Sequence, residues 1–277
     1  MLDSPLFQRA LTIGAAASRT GPPGSDVDPV ASDDLRKSLG AYARLLETWN
    51  RRFNLVSRAA EPDALIADAL VDAAALAAVL PPDGLIVDAG AGAGLPALPL
   101  ALLRPDLRLL LVEPRRRRAS FLHRLGGLDW GAGKKPTPTE GEPYPATTAP
   151  QPTRGLDWGA GRKADPVGSE PSSGTATPTA PFTAARWTVL EDRVESPDLL
   201  NERAAPDAVY TRAVWNPAEA WTACERLLTP DRRLICLVGE SEPRPSDAWN
   251  CQTYEELLPD PGPWARRRLF LRRKVID

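Results

Sequence analysis

Gly84-Leu85-Ile86-Val87-Asp88-Ala89-Gly90-Ala91-Gly92-Ala93-Gly94-Leu95-Pro96 is the stretch on which the fold turns. Leu85-Ile86-Val87 is a short apolar run bounded by turn residues, as expected of a strand covered on both faces. Three glycines at alternate positions follow at once, and Leu95 to Leu103 reads as a helix. A strand that enters a helix through such a turn can bring bare backbone against a ligand. A dinucleotide fingerprint needs its third glycine one place later, where Leu95 stands, so the spacing argues against a nicotinamide or flavin enzyme. Leu107 to Val112 is a second buried strand, ending at Glu113. A carboxylate roughly 20 residues beyond the turn can accept hydrogens from both ribose hydroxyls of a nucleoside.

Working outward, the pattern alternates strands with helices. Before the turn, Ser32-Asp33-Asp34 supplies an N-cap and first-turn acids. Leu35, Leu39, Tyr42, Leu46, Trp49 and Phe53 recur at helical spacing to about Arg52. A second helix is expected from Pro62, a residue suited to a first turn. Its apolar stripe runs from Leu65 to Leu80, and Pro81-Pro82 stops it. After the turn come a helix over Arg115 to Leu125 and strands at Arg186 to Leu190, Asp207 to Tyr210 and Leu234 to Val238. Helices are expected around Leu199 and over Ala218 to Leu228, and Arg266 to Val275 makes a final hairpin strand. The expected fold class is α/β, a mostly parallel seven-stranded Rossmann-like sheet with an N-terminal helical extension.

Residues 1–31, interrupted by Gly21-Pro22-Pro23-Gly24, read as a flexible leader, and 32–82 as helices packed on the catalytic domain. That domain comprises 83–125 and 184–277. Between its halves, 126–183 is rich in Pro, Thr, Ala, Gly and Ser with little aliphatic periodicity, the composition of a disordered insertion. Within it Gly127-Leu128-Asp129-Trp130-Gly131-Ala132-Gly133-Lys134-Lys135 recurs as Gly155 to Lys163 with one conservative change. Two copies are too few for a solenoid. The Gly-Ala-Gly-Lys piece is no phosphate loop, because its glycine spacing is wrong and no Ser or Thr follows the lysine.

Composition bounds the chemistry. The 277 residues are 43% hydrophobic and 25% charged, ordinary globular usage, and 30 are proline. A formal net charge of −2 excludes a globally basic nucleic-acid coat but allows a local basic face. Cys224, Cys236 and Cys251 match no zinc spacing, and His123 is the only histidine, so no His/Cys metal cluster is expected. Sparse cysteine, no apolar run of about 20 residues and no signal layout together predict a soluble cytoplasmic protein.

Several stretches resemble the RsmG/GidB family. They are Trp49-Asn50-Arg51-Arg52-Phe53-Asn54-Leu55-Val56-Ser57, Val87 to Leu100, and Leu111-Val112-Glu113-Pro114 leading to Phe121-Leu122. Arg193-Val194-Glu195 and Thr211-Arg212-Ala213 complete the set. They follow the family's order from about Leu39 to Gly239, skipping the insertion. The resemblance implies a class I methyltransferase that uses S-adenosyl-L-methionine to methylate guanine N7 in 16S ribosomal RNA, with a small ribosomal particle as partner. It implies that Gly90, Gly92, Gly94 and Leu95 shape the methionine and ribose end of the cofactor site, and that Val194-Glu195 lie beside adenine. Arg212 would face the cofactor's amino-acid end or the target nucleotide.

The chain departs from the family pattern at Asp68-Ala69, where Arg-His is usual, at Ala97 for glycine, and at Val238 for lysine. A non-enzymatic descendant, or a methyltransferase with a small-molecule or protein substrate, would share the same turn. The chemistry itself asks little of the protein. Guanine N7 is a lone-pair acceptor on the major-groove edge that needs no deprotonation, so no catalytic base is assigned. RNA affinity would come from arginines on phosphates. Candidates are Arg115 to Arg118, Arg51-Arg52 and the tail group Arg266, Arg267, Arg268, Arg272, Arg273 and Lys274.

Overall fold

A computed structural model describes residues 2–19, 32–57, 60–126, 187–200 and 203–275. The expected insertion at 126–183, with its duplicated segment, lies outside these residues except for Gly126. Seven strands form one sheet: β1 (Gly84–Ala89), β2 (Leu107–Val112), β3 (Trp187–Leu190), β4 (Ala208–Arg212), β5 (Arg233–Val238), β6 (Asn250–Thr253) and β7 (Arg268–Arg273). Their order is β3-β2-β1-β4-β5-β7-β6. The first five strands run parallel, and β7 lies antiparallel between β5 and β6. This is a mostly parallel, Rossmann-like α/β sheet.

Among the described residues the α-helices are α1 (Pro5–Arg19), α2 (Ser32–Phe53), α3 (Pro62–Val79), α4 (Ala97–Leu103), α5 (Arg116–Gly126), α6 (Pro217–Cys224) and α7 (Tyr254–Leu257). One face of the sheet, through Ile86, Leu109, Leu111, Ile235 and Leu269, packs with α1 to α4 in a large core. The other face, through Val87, Leu110, Val209, Leu234 and Phe270, packs with α6 and Trp249. The alternation follows from side chains pointing to opposite faces along a strand.

Three expectations are corrected. Residues 1–31 are not a loose leader throughout, because Pro5–Arg19 is a helix with Phe7, Ala10, Leu11 and Ile13 buried in the main core. Its start is fastened by Leu2 N and Ser4 N donating to the Asp63 carboxylate at 3.0 and 3.4 Å. Covered by α1, α3 is buried all round from Ile66 to Ala77, Asp68 alone being half-exposed, rather than along a stripe. Its alanines allow that close approach, as does Gly14, where an added Cβ would meet Leu70 Cδ1 at 2.9 Å. The segment around Leu199 forms turns, not a helix. Proline at 197 restricts the residue before it, so no helix runs through from Ser196.

Candidate cofactor and substrate site

The three glycines serve two purposes. All take positive φ, +86° at Gly90, +59° at Gly92 and +82° at Gly94. At Gly90 an added Cβ would strike Val214 Cγ2 at 2.6 Å, and at Gly94 it would strike Leu98 Cδ1 at 2.7 Å. These two are required by packing. At Gly92 the nearest atoms would be Gly90 O at 3.9 Å and Arg118 Nη1 at 4.0 Å, so its Cα faces open space. Gly92 is therefore where a ligand can approach the backbone, and a larger side chain would fill that room.

The turn is held from three sides. Gly90 N and Ala91 N donate to Val112 O at 2.9 and 3.0 Å, locking it to the end of β2. Tyr42 on α2 donates its hydroxyl to Ala93 O at 2.8 Å, and Thr211 on β4 donates to Ala89 O at 3.0 Å. Glu113 is buried, and its two oxygens accept from Gly92 N at 2.9 Å and Arg115 N at 2.8 Å. Each oxygen keeps a second lone pair for a hydroxyl donor. The open backbone of Gly92 beside a fixed carboxylate suits a ligand that carries hydroxyl donors, such as a ribose. Gly90, Gly92, Gly94 and Glu113 are the residues that could hold such a group, with Leu95 half-buried at the helix entry.

The other expected positions are less uniform. Val194 follows β3 on the same sheet edge as Glu113, whose N donates to Leu190 O at 3.0 Å. Val194 is buried in the second core and Glu195 is exposed. Arg212, at the end of β4, is not a free guanidinium, because its Nε lies 2.5 Å from Asp72 Oδ2 on α3. Asp72 Oδ1 also accepts from Tyr254 Oη at 2.8 Å and Arg267 Nη1 at 3.2 Å. Beneath the turn, Asp88 is fully enclosed with its Oδ2 and the neighbouring Tyr210 hydroxyl both lacking a well-formed hydrogen bond. Burial is the main cause that pushes the Asp88 carboxyl up to about 7.

The six tail residues do not share one role. Arg267 is held by Asp68 at 2.7 Å as well as by Asp72, and Trp264 Nε1 donates to the other Asp68 oxygen at 2.7 Å. Asp68, at the position where the resembling family has arginine, thus has a cationic partner of its own. Arg268 donates to the backbone carbonyls of Gly239, Glu240 and Glu242. Arg272 stacks on Trp221, Lys274 donates to Glu225 O at 3.0 Å, and Arg266 and Arg273 are exposed. Nearer the turn, Arg115, Arg116 and Arg117 are exposed at the start of α5, with Arg117 over the Phe53 ring. Arg51 and Arg52 are exposed at the end of α2, and Arg51 pairs with Glu47 one helical turn earlier.

Sequence reasoning missed the joint role of Asp72, Tyr254 and Trp264. Asp68 and Asp72 stand four residues apart on one face of α3, which is a usable signal. Their partners lie far along the chain and carry no spacing that points back to them. Among the described residues no group of three or more His, Cys, Asp or Glu could hold a metal ion. None of the described helices is long and apolar enough to cross a membrane.

Residues 35–127 match the family model GidB, described as rRNA small subunit methyltransferase G. A protein named ribosomal RNA small subunit methyltransferase G from Frankia casuarinae is 43% identical over 105 residues, 37% of this chain and 39% of its own length. Proteins of the same name from Desulfotalea psychrophila and Nitrosospira multiformis are 38% and 45% identical, over 32% and 29% of this chain and 42% and 37% of their own. The match therefore spans about two fifths of the length of these relatives. Among solved structures, a methyltransferase from Geobacter sulfurreducens aligns with 96% of each chain at 12% identity and a TM-score of 0.42, too distant to add to the strand order. Segment 35–127, which holds the glycine turn and Glu113, is the part of the chain that is similar to the GidB family.

Proposed function

We propose that this chain transfers a methyl group from S-adenosyl-L-methionine to guanine N7 of 16S ribosomal RNA within the small ribosomal subunit, acting in the cytoplasm. The observation that carries the reading is Gly92, whose left-handed, open backbone lies beside the Glu113 carboxylate at the ends of adjacent parallel strands. The similarity of the same segment to the GidB family model supports the RNA substrate. The cofactor supplies an electrophilic methyl on its sulfonium. The protein's share is alignment: the turn and Glu113 fix the nucleoside end, and Arg212, steadied by Asp72, borders the space beyond β4. No residue has to remove a proton, because guanine N7 offers a lone pair directly. The exposed arginines at the start of α5 lie beside the turn, where they can meet RNA phosphates.

The test is tritiated methyl transfer to purified small subunits from a strain lacking the modification. Label in the RNA, lost in Arg212→Ala, is the expected result. If S-adenosylhomocysteine binds but no label enters RNA at any salt concentration, the chain is a non-enzymatic descendant that has kept the cofactor turn.

A further inference from the structure

At the opposite end of the strands from the glycine turn, β5 begins, β7 ends and β6 begins around a cleft of about 800 Å³. Its walls carry five cations (Arg233, Arg244, Arg272, Arg273 and Lys274) against two acids (Glu225 and Asp247). That surplus of three positive charges stands on a chain whose net charge is −2. The surplus is not neutralised within the fold. Among the described residues neither Arg272 nor Arg273 has a carboxylate partner, and Arg233 and Arg273 face one another across paired strands. Arg244 reaches Asp247 only at 3.8 Å, on a fully exposed side chain. Like charges gathered in a concave wall raise the local potential and draw an anion.

An aromatic floor accompanies the charge. The Arg272 guanidinium carbon lies 3.9 Å from the Trp221 ring centroid and 5.9 Å from that of Trp249. The two indoles meet edge to face at 6.3 Å, and Trp249 is buried beneath. Arg272 therefore sits against both indoles while it lines the cleft. Cations that track a backbone, combined with flat π surfaces, are what single-stranded nucleic acid requires. Double-stranded RNA is recognised instead by its shape, across a shallow minor groove, and has no unstacked base to offer such a floor.

We propose that this cleft is a second RNA contact, which takes a single-stranded segment remote from the methylated base. A base stacks on Arg272 over Trp221, while Arg273, Arg244 and Lys274 bind the flanking phosphates. This rests on the ribosomal RNA reading above and gives it a docking surface separate from the reaction. The full chain is titrated against an end-labelled short oligouridylate by fluorescence anisotropy, over about 50 to 200 mM salt. The double variant Arg272→Gln/Arg273→Gln should bind about ten-fold more weakly. Its log–log salt slope should flatten by about 0.7 for each phosphate that is no longer neutralised. Trp221→Leu should weaken binding with little change in slope, and Arg44→Gln on α2 should change neither. Arg273→Gln alone, at an exposed position without an ion-pair partner, guards against misfolding of the double variant and should still weaken binding measurably. Equal affinity of wild type, Arg273→Gln and the double variant overturns the proposal. So does methyl transfer to small subunits by a wild type that binds no oligouridylate, which leaves the proposed activity standing. Cleft-dependent binding without any methyl transfer leaves the cleft standing and removes the activity.

Discussion

Arg212 and Asp72 join the two halves of the candidate site. Arg212 ends β4 beside the glycine turn, Asp72 sits in the middle of α3, and their Nε and Oδ2 are 2.5 Å apart. Asp72 is 3% exposed at its side chain and Arg212 25%. The same carboxylate takes the Tyr254 hydroxyl and Arg267, both from the C-terminal region. One buried acid therefore orients an arginine at the end of β4 and fastens the C-terminal region to α3. A buried acid in such a place needs those donors, because an uncompensated charge away from water is strongly unfavourable.

Replacing that acid should be felt in both stability and turnover. Asp72→Asn keeps an acceptor for Tyr254 but leaves Arg212 and Arg267 without their shared anion. Breaking a buried ion pair costs about 3 kcal/mol, which lowers the melting temperature of a domain this size by roughly 6–12 °C. Methyl transfer should fall further than S-adenosylhomocysteine affinity, since Arg212 loses its orientation while the glycine turn does not. Calorimetry and melting curves on the same sample check both. An unchanged melting temperature would mean that the network contributes nothing.

The three glycines should separate by phenotype. Gly92→Leu fills the open space and should abolish binding of S-adenosylhomocysteine in calorimetry. Gly90→Ala and Gly94→Ala place a Cβ against Val214 and Leu98 at under 3 Å. They should act first on folding, with strain of about 1–3 kcal/mol from the positive φ alone. If Gly92→Leu binds ligand as wild type does, the cofactor does not lie over this turn.

What could be read from residues was whatever repeats locally. The run Leu85-Ile86-Val87 and the glycines after it dictate a strand, a turn and a helix without help from distant chain. Glu113 followed from the next apolar run for the same reason. β6 was not legible, because Asn250-Cys251-Gln252-Thr253 is short and polar and is a strand only where β7 offers hydrogen bonds. Helix α1 does carry a local signal. Phe7, Ala10, Leu11, Gly14 and Ala17 recur at helical spacing, hidden by the alanine-rich composition and by the Gly-Pro cluster just after. The fates of Arg267 and Arg273 could not be told apart in sequence. One meets Asp68 and Asp72 and the other does not, and that depends on how α3 crosses the sheet.

Helix α1 gives a direct measurement. Phe7 is fully buried in the main core, so Phe7→Ala should cost about 3–5 kcal/mol through reduced burial and an unfilled cavity. Chemical denaturation of the full chain reads this as a shift in midpoint. A flexible leader would give no shift. Because α1 covers α3, which carries Asp72, the variant should also weaken methyl transfer.

Asp88 makes stability depend on pH in an unusual direction for a carboxylate. Its pKa is raised from 3.8 to about 7, chiefly by burial and with help from Glu113, against the contact with Tyr210 and the charge of Arg212, which lower it. A raised folded-state pKa means that the folded protein binds the proton more tightly than the unfolded chain does. The associated stability is fully present below about pH 4, declines as pH rises through 7, and is absent above. Other carboxylates titrate in the same range, so the readout is a difference. Asp88→Asn mimics the protonated form and removes only this contribution. Its stability relative to wild type should grow steadily between pH 4 and 7 and then level off, measured by denaturation midpoints across that window. A difference that stays constant with pH would show that Asp88 is ionised in the folded protein throughout, with a donor satisfying its buried oxygen.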